Sequence, residues 1–301
     1  MLIKRILTAM VLATIVVIAV VTLPINYFSL FIAAIILAGA WEWLDLISID
    51  KLSTRLLFFA SLILPMLGVT FWTNFLEFLS EAMEWPEVKD YSDALEWLVI
   101  APVLFWIIAM ILIRNAARQL LVIEFKPRFK FFVGWLVLLS AWMFIVKLRA
   151  YYGSDMVLYL LLLIWAADVS AFFAGKKWGK DKLSPEISPG KTVQGMYGGL
   201  ASAVACAVGL RIYYGLAALE TEHSQLVILM SVDILMLSVL TVLISIYGDL
   251  FFSLVKRKKG VKDSGDILPG HGGILDRIDS LIAATPFFYA GIVLIGRSVF
   301  A

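Results

Sequence analysis

Nine long apolar runs constrain the fold of this chain more than any other feature. They lie at about 6–22, 27–44, 56–75, 97–113, 131–147, 156–174, 195–214, 226–248 and 280–297. Each is close to the roughly 20 residues that a helix needs to cross a bilayer. The composition agrees, since 62% of the residues are hydrophobic and 16% are charged. We therefore expect an all-α polytopic membrane protein with about nine transmembrane helices in a single domain.

The distribution of Lys and Arg predicts the orientation of these helices. If the N-terminus lies in the cytosol, 20 of the 25 Lys and Arg residues fall in cytosolic segments and five fall outside. Positive residues concentrate in the cytosolic loops of membrane proteins. The chain is therefore expected to have a cytosolic N-terminus and an external C-terminus. The net charge of +2 indicates no particular partner, and no nucleic-acid-binding signature is present in the sequence.

The scarcity of cysteine and histidine limits the chemistry of any metal site. Cys206 is the only cysteine, which excludes an intramolecular disulfide, and the two histidines are His223 and His271. So few cysteine and histidine residues argue against a Cys/His zinc site. Any catalytic metal should therefore be held by oxygen ligands, which suit hard divalent cations such as Mg²⁺.

The segment 253–279 is the most chemically mixed part of the chain, because it combines cations, glycines and carboxylates. Lys and Arg can neutralise phosphate oxygens, glycine lets the backbone approach them, and Asp can hold a divalent cation. At its start, Asp249, Ser253 and Lys256 recur at i, i+4 and i+7, which places them on one helical face. Taken singly, each also fits an ordinary helix end with a capping Ser and a snorkelling Lys. The combination favours a site for a metal-bound polyphosphate.

The end of this segment combines a glycine-rich turn with two carboxylates. Asp276 and Asp279 stand three residues apart, around Arg277 and directly before the ninth apolar run. Such a pair at a helix start can hold one or two Mg²⁺ ions, although Asp is also a common N-terminal cap. The preceding turn 269–273 contains three glycines, which favours backbone packed against a ligand. Two roles stay open for His271. It could act in the reaction, as a proton shuttle or as a hydrogen-bond donor to phosphate, or it could be a structural residue of the loop.

A second basic loop, 175–194, contains the run Ser188-Pro-Gly-Lys-Thr192. Its Gly-Lys-Thr end is typical of a Walker A phosphate loop, but Pro185 stands where that motif requires an earlier glycine. The Walker A interpretation is therefore rejected. The loop lies on the same predicted membrane face as 253–279, so its polar residues remain candidates for binding a nucleotide triphosphate or a lipid phosphate. Ordinary positive-inside charge would also account for its lysines.

Asp168, Glu42 and Asp45 are acids that lie inside or beside predicted spans. Asp168 lies within the sixth apolar run, roughly 10 Å from its cytosolic end at about 1.5 Å per residue. An ionisable group at that depth is costly, so we expect it to be paired or to face a metal. Glu42 and Asp45 lie where the second run meets the cytosol, beside tryptophans that are typical of membrane interfaces.

One long pattern runs through the segment 253–279. It reads Ser253-x-Val-Lys256-Arg257, four residues, Lys262-Asp263-x-Gly265, two residues, Leu268-Pro269-x-His271-Gly-Gly-Ile274-x-Asp276-Arg277-Ile278-Asp279. This pattern closely resembles the signature of phosphatidate cytidylyltransferases, the CDP-diacylglycerol synthases, with no departure from it. The stretch from Asp168 to Gly175, the loop 188–192 and Trp41-Glu-Trp43 are also similar to the family. The first 150 residues are otherwise matched mainly by hydropathy.

The resemblance implies transfer of CMP from CTP to phosphatidic acid, which gives CDP-diacylglycerol and pyrophosphate and requires Mg²⁺. The phosphate of phosphatidic acid is already anionic, so catalysis depends on positioning and charge neutralisation rather than on a serine nucleophile. The residues assigned to catalysis are Asp249, Ser253, Lys256, Asp276 and Asp279. Those assigned to phosphate binding are Arg257, Lys262, His271, Gly272, Gly273, Arg277, Ser188, Lys191 and Thr192. The metal ligands are Asp249, Asp276 and Asp279, with Asp168 as a further candidate, and a second cation would fit such an acid cluster.

The same resemblance suggests a bacterial cytoplasmic membrane and a homodimer, with CTP, phosphatidic acid and membrane lipids as partners. The assigned residues fall within about 156–301, so that part is expected to be catalytic and about 1–150 to form N-terminal helices. Two alternatives stay open, a CTP-dependent enzyme acting on another lipid and a transporter. A transporter should distribute polar residues through the bilayer depth and show inverted repeats, whereas the strongest polar cluster here is predicted to be cytosolic.

Overall fold

A computed structural model of the chain describes residues 2–84, 94–217, 224–268 and 272–300. Helices dominate these ranges, and one short β-hairpin interrupts them. The elements are α1 (Leu2–Thr22), α2 (Ile25–Leu46), α3 (Leu52–Thr70), α4 (Trp72–Ala82), α5 (Ile100–Val122), α6 (Pro127–Trp178), β1 (Lys182–Ser184), β2 (Ser188–Thr192), α7 (Val193–Ala217), α8 (Ser224–Lys259) and α9 (Leu275–Phe300).

The described helices confirm the all-α polytopic class. Seven of them are long and apolar enough to cross a membrane. The longest, α6, has 52 residues, and at about 1.5 Å per residue it exceeds twice the roughly 30 Å of a hydrocarbon core. Its helical torsions are interrupted at Gly153, with φ 80° and ψ −178°, which residues with a Cβ rarely adopt. The break separates the runs 131–147 and 156–174, and the count of nine spans and the cytosolic N-terminus remain predictions.

The helices α6 and α8 lie at the centre of the bundle. α6 packs against α7, α9 and α2, and α8 packs against α9, α7 and α5. Two glycines permit close approaches: a Cβ at Gly198 on α7 would stand 2.4 Å from that of Ala174, and one at Gly248 on α8 would stand 2.4 Å from that of Ala283. Small residues at helix crossings are typical of membrane bundles. The second crossing holds α8 against α9 beside Asp249.

An aromatic cluster joins α2, α5 and α8. The ring centroid of Phe251 stands 5.3 Å from that of Trp106 and 6.3 Å from that of Trp43, and Phe252 stands 6.0 Å from Trp43. Trp43, Trp106 and Phe252 are buried. Large buried rings contribute strongly to packing, so the cluster fixes the end of α2 against α8.

The β-hairpin lies between α6 and α7 and packs against the end of α8. β1 pairs antiparallel with β2, and Lys182 stands opposite Thr192. Ile187 in the turn is fully buried, and its carbonyl accepts a hydrogen bond of 3.2 Å from Arg257 Nε. The loop 175–194 is therefore held against α8, as expected for two loops that share one membrane face.

Candidate functional site

A buried carboxylate on α2 organises the loop between α8 and α9. Glu42 is 1% exposed. Its Oε1 accepts a hydrogen bond of 2.8 Å from the Ile274 amide, and its Oε2 accepts bonds of 2.9 Å from the Leu275 amide and 2.8 Å from Ser264 Oγ. The first amides of a helix lack partners within the helix and carry partial positive charge. Glu42 therefore accepts hydrogen bonds from the free amides at the start of α9 and neutralises their partial positive charge.

Asp276 connects the end of α8 with the loop and the first turn of α9. Its Oδ1 accepts a hydrogen bond of 2.5 Å from Lys256 Nζ, and both side chains are almost fully buried. Its Oδ2 accepts from the amides of Ser264 at 2.8 Å and Gly273 at 3.0 Å. A carboxylate has about four lone-pair sites, so Asp276 keeps acceptor capacity on Oδ1. The structure thus brings together Lys256 and Asp276.

The second basic loop contacts the same face of α8. Lys191 Nζ forms an ion pair of 2.6 Å with Asp249 Oδ2, and it also donates to the Ile246 carbonyl at 3.3 Å. Ser253 Oγ donates to Asp249 Oδ1 at 3.2 Å. The shared face of Asp249 and Ser253, predicted from helical spacing, is present, and Lys191 lies against it.

Two further carboxylates surround the Lys191–Asp249 pair. Asp279 is buried on α9 and interacts electrostatically with Asp249 and Lys191. Asp168 on α6 interacts electrostatically with the same two residues. Together with the Lys256–Asp276 pair, these residues form one cluster of four carboxyl groups and two ammonium groups. We call this set the polar cluster.

The ligand types in the polar cluster fit a hard cation. Its carboxylates are the oxygen donors that Mg²⁺ prefers, and Asp249 forms an ion pair with Lys191 and accepts a hydrogen bond from Ser253. Within the described ranges, no three Asp, Glu, His or Cys side chains converge closely enough to hold a metal ion by themselves. The metal ligands assigned from the sequence therefore stay predictions, supported by donor chemistry.

The basic residues predicted to bind phosphate differ in their contacts. Arg257 donates to the carbonyls of Ile187 and Val261, which uses two of its five N–H donors. Lys262 and Arg277 are exposed. The charge of all three is therefore accessible to an anion that approaches from the polar end of the bundle.

Other predicted phosphate-binding residues have structural contacts or cannot be placed. Thr192 Oγ1 accepts a hydrogen bond of 3.0 Å from the Gly195 amide, which caps the start of α7, and its side chain is buried. Ser188 is half-buried at the start of β2. His271 lies outside the described residues. A role for these three residues in phosphate binding stays a prediction.

Two residues that the sequence-based assignments omit hold this end of the bundle together. Glu42 was expected only at the membrane interface, yet it caps α9. Lys258 was counted only as positive-inside charge, yet its Nζ donates to the carbonyls of Leu120 and Leu121 at the end of α5. The available signal for Glu42 was an acid between two tryptophans at the end of an apolar run. The partner of neither residue could be read from local spacing.

Two glycines of the turn, Gly272 and Gly273, are required by close approaches. Gly272 has φ +80°, and a Cβ there would stand 2.8 Å from Asp276 Oδ2. A Cβ at Gly273 would stand 2.1 Å from Ser264 Oγ and 2.3 Å from Glu42 Oε2. Both positions therefore serve the packing of the carboxylates that organise the loop.

Gly273→Ala should lower the midpoint of thermal unfolding in detergent. Overpacking a buried site costs about 1–3 kcal/mol, and the added methyl would displace Ser264 and Glu42 from the start of α9. Gly209→Ala on α7 is the matched control, because a Cβ there meets no atom within 4 Å and alanine favours a helix. Equal unfolding midpoints for Gly273→Ala and the wild type would contradict the close packing of the turn.

The polar cluster has the properties of a site for phosphoryl groups. Lys191 and Lys256 each lie on a carboxylate partner, the surrounding helices are apolar, and Arg257 lies at the rim with unused donors. Ammonium and guanidinium groups stabilise phosphate oxygens more strongly where water is partly excluded. The arrangement suits neutralisation of a polyphosphate beside a membrane surface.

Comparisons with known proteins agree with this chemistry. Phosphatidate cytidylyltransferase of Haemophilus influenzae is 34% identical over 295 residues, which cover 96% of this chain and 97% of the relative. The protein of that name from Pseudomonas aeruginosa is 35% identical over 291 residues, 96% of each chain. The Bacillus subtilis protein is 43% identical over 141 residues, 46% of this chain and 47% of the relative. Because residues 3–295 also match the model of the cytidylyltransferase family, the chain belongs to that family.

Proposed function

We propose that this protein transfers CMP from CTP to phosphatidate, which forms CDP-diacylglycerol and releases pyrophosphate. The observation that carries the proposal is the pairing of Lys191 with Asp249 and of Lys256 with Asp276 at one end of an apolar bundle. The family match and the names of the two full-length relatives support it. A site at the end of an apolar bundle can be reached by CTP from water and by a lipid phosphate from the bilayer.

The reaction needs charge neutralisation more than it needs proton transfer. A phosphate oxygen of phosphatidate forms a bond to the α-phosphorus of CTP, and the bond from that phosphorus to the oxygen bridging the β-phosphate breaks. Pyrophosphate leaves with the electron pair. A phosphate monoester is already ionised near neutral pH, because its second pKa is about 6. No general base is therefore required, and catalysis depends on positioning and electrostatic stabilisation.

Four basic residues have distinct roles in this proposal. Lys191 and Lys256, which are fixed by their carboxylate partners, neutralise charge on the reacting phosphoryl groups. Arg257 and Lys262 lie nearer the surface and hold the outer phosphates of CTP. Arg257 suits this role because its planar group still has three N–H donors after its two contacts with backbone carbonyls.

Mg²⁺ is the cofactor proposed for the polar cluster. Asp249 and Asp276 would bind it, Asp279 would bind it directly or through water, and Asp168 is a further candidate. A bound divalent cation polarises phosphoryl oxygens and stabilises a departing pyrophosphate. A second cation would depend on the charge that the phosphates of CTP bring.

The location proposed for the site is the cytosolic face of a bacterial cytoplasmic membrane. Apolar helices suited to crossing a membrane support a multi-pass protein, and the full-length relatives come from bacteria. The cytosolic orientation rests on the excess of Lys and Arg in the loops that form the site. Assembly as a homodimer is proposed from the resemblance alone.

A direct assay tests the proposed function. Purified protein in detergent, given CTP labelled in its α-phosphate, Mg²⁺ and phosphatidate, should form labelled CDP-diacylglycerol and an equal amount of pyrophosphate. Chelation of the metal with EDTA should stop the reaction, and excess Mg²⁺ should restore it. Labelled product only when another lipid replaces phosphatidate would favour the alternative enzyme class. Failure to form any CDP-lipid across several detergents and metals would overturn the proposal.

A further inference from the structure

A large cavity lies on the other side of α8 from the polar cluster. Its volume is about 670 Å³, and residues of α2, α5, α6 and α8 line it. The walls are mainly apolar and include Trp43, Phe105, Leu112, Phe251 and Leu254. Small-molecule sites span roughly 300–1,000 Å³, so the cavity is large enough to hold part of a lipid.

The geometry of α8 separates this cavity from the polar cluster. Asp249 and Lys256 share one face of the helix, whereas Phe251 and Lys258 are two residues further along and line the cavity. Side chains two positions apart in a helix point in directions that differ by about 200° around its axis. A helix with its side chains is about 10–12 Å across. A molecule in the cavity therefore lies against the face of α8 opposite to the Lys256–Asp276 pair.

The cavity has an excess of positive charge at the polar end of the bundle. Three of its lining residues are cations, Lys130, Lys258 and Lys259, and Glu124 is the one acid among its described lining residues. Ser48, just after the end of α2, lies at the same end. This combination of an apolar body and a basic end is complementary to an anionic headgroup that carries an acyl chain.

The lysines at this end supply both charge and hydrogen-bond donors. Lys258 Nζ donates to the Leu120 carbonyl at 2.8 Å and stands 5.1 Å from the Phe125 ring, so it contributes mainly charge. Lys259 Nζ donates to Ser48 Oγ at 2.7 Å and keeps two of its three N–H donors. A headgroup phosphate can therefore accept hydrogen bonds from Lys259 beside the fixed charge of Lys258.

The side of the cavity formed by α5 is open to the surroundings of the bundle. Ile108 and Leu112 line the cavity and are exposed although they are apolar. In a membrane, such residues face lipid chains. A lipid can therefore reach the cavity laterally from the bilayer.

We propose that this cavity binds one anionic glycerophospholipid, which is distinct from the phosphatidate consumed in the reaction. Its headgroup phosphate lies at Lys130 and Lys259, and one acyl chain packs against Phe105 and Phe251. Charge complementarity at the basic end selects an anionic headgroup over a zwitterionic one. The apolar walls accept the chain without selecting its headgroup.

Lipid binding can be measured without turnover. Delipidated protein is mixed with phosphatidylglycerol or phosphatidylcholine in the absence of CTP, and bound lipid is counted by native mass spectrometry. We expect one phosphatidylglycerol to be retained and phosphatidylcholine to be lost. The double variant Lys130→Gln/Lys259→Gln should weaken retention of phosphatidylglycerol by on the order of tenfold. Ala109→Trp, which fills the cavity from α5, should abolish retention.

The matched control for the charge variant is Lys176→Gln/Lys177→Gln, which removes two exposed lysines near the end of α6 and should leave retention unchanged. The Lys130→Gln/Lys259→Gln variant leaves the apolar walls intact, so it still tests the site if Ala109→Trp does not fold. Equal retention of the two lipids, or unchanged retention in the double variant, would overturn the proposal. Because no CTP is present, these results do not depend on formation of CDP-diacylglycerol.

Discussion

Asp276→Asn should reduce the formation of CDP-diacylglycerol by on the order of 10³-fold, while the protein stays folded. Removal of one preorganised electrostatic contact costs about 10²–10³ in rate, and Asp276 lies beside Lys256 and is proposed as a metal ligand. The asparagine oxygen can still accept from the amides of Ser264 and Gly273. The loop should therefore keep its shape. Initial rates with labelled CTP check the loss of activity, and thermal unfolding checks that the protein stays folded.

Two further variants separate a role at the metal from charge balance. Asp266→Asn changes an exposed acid of the same loop and should leave the rate unchanged. Adding Lys256→Met to Asp276→Asn removes the buried unpaired charge, which should recover stability because an orphaned buried ion is costly. Activity should stay low in the double variant, because Lys256 is itself proposed to neutralise the phosphoryl groups, and returned activity would contradict the roles proposed for both side chains. Near-normal activity of Asp276→Asn alone would disprove the metal assignment.

Glu42→Gln should destabilise the protein and lower turnover by on the order of 10²-fold, although Glu42 is on a different helix from the reacting groups. Hydrogen bonds to a charged group contribute about 1.5–3 kcal/mol each, and the glutamine would turn one acceptor into an N–H donor that faces the Leu275 amide. Displacement of a catalytic group by about 1 Å can cost 10²-fold in rate. Thermal unfolding and the rate at saturating CTP measure the two effects.

The control for Glu42→Gln is Glu81→Gln, which makes the same chemical change at an exposed position of α4. It should change neither the unfolding midpoint nor the rate. Glu42→Gln at high CTP tests whether the loss lies in kcat, as expected for misplacement of Asp276, or in CTP binding alone. Wild-type stability and kcat in this variant would show that Glu42 does not position α9.

Local periodicity correctly predicted one feature of the polar cluster. The i, i+4 spacing placed Asp249 and Ser253 on one face of a helix, and Ser253 Oγ donates to Asp249. Lys256 and Asp276 were assigned to one site from the sequence, and their side chains form an ion pair in the structure. The apolar runs likewise predicted a helical membrane bundle, because a bilayer leaves few alternatives to a helix for a long apolar segment.

Contacts between distant parts of the chain could not be predicted in the same way. Helical spacing determines which residues share a face, but the neighbour of that face depends on how complete helices pack. The approach of Lys191 to Asp249 depends on the hairpin that precedes α7 and on its contact with Arg257. The fit of Gly273 against Glu42 depends on the position of α2. Neither arrangement follows from residue types at a fixed spacing.

The cap formed by Glu42 also affects the biogenesis of the protein. Its carboxylate is on the second helix, whereas the Ile274 amide that it accepts from is 232 residues later in the chain. A ribosome adds about 5–20 residues per second, so Glu42 is made well before its partners exist. Until then, its charge must be met by water or by transient neighbours. The contact between Glu42 and the start of α9 is therefore completed only when α9 has been synthesised and inserted beside helices already in the membrane.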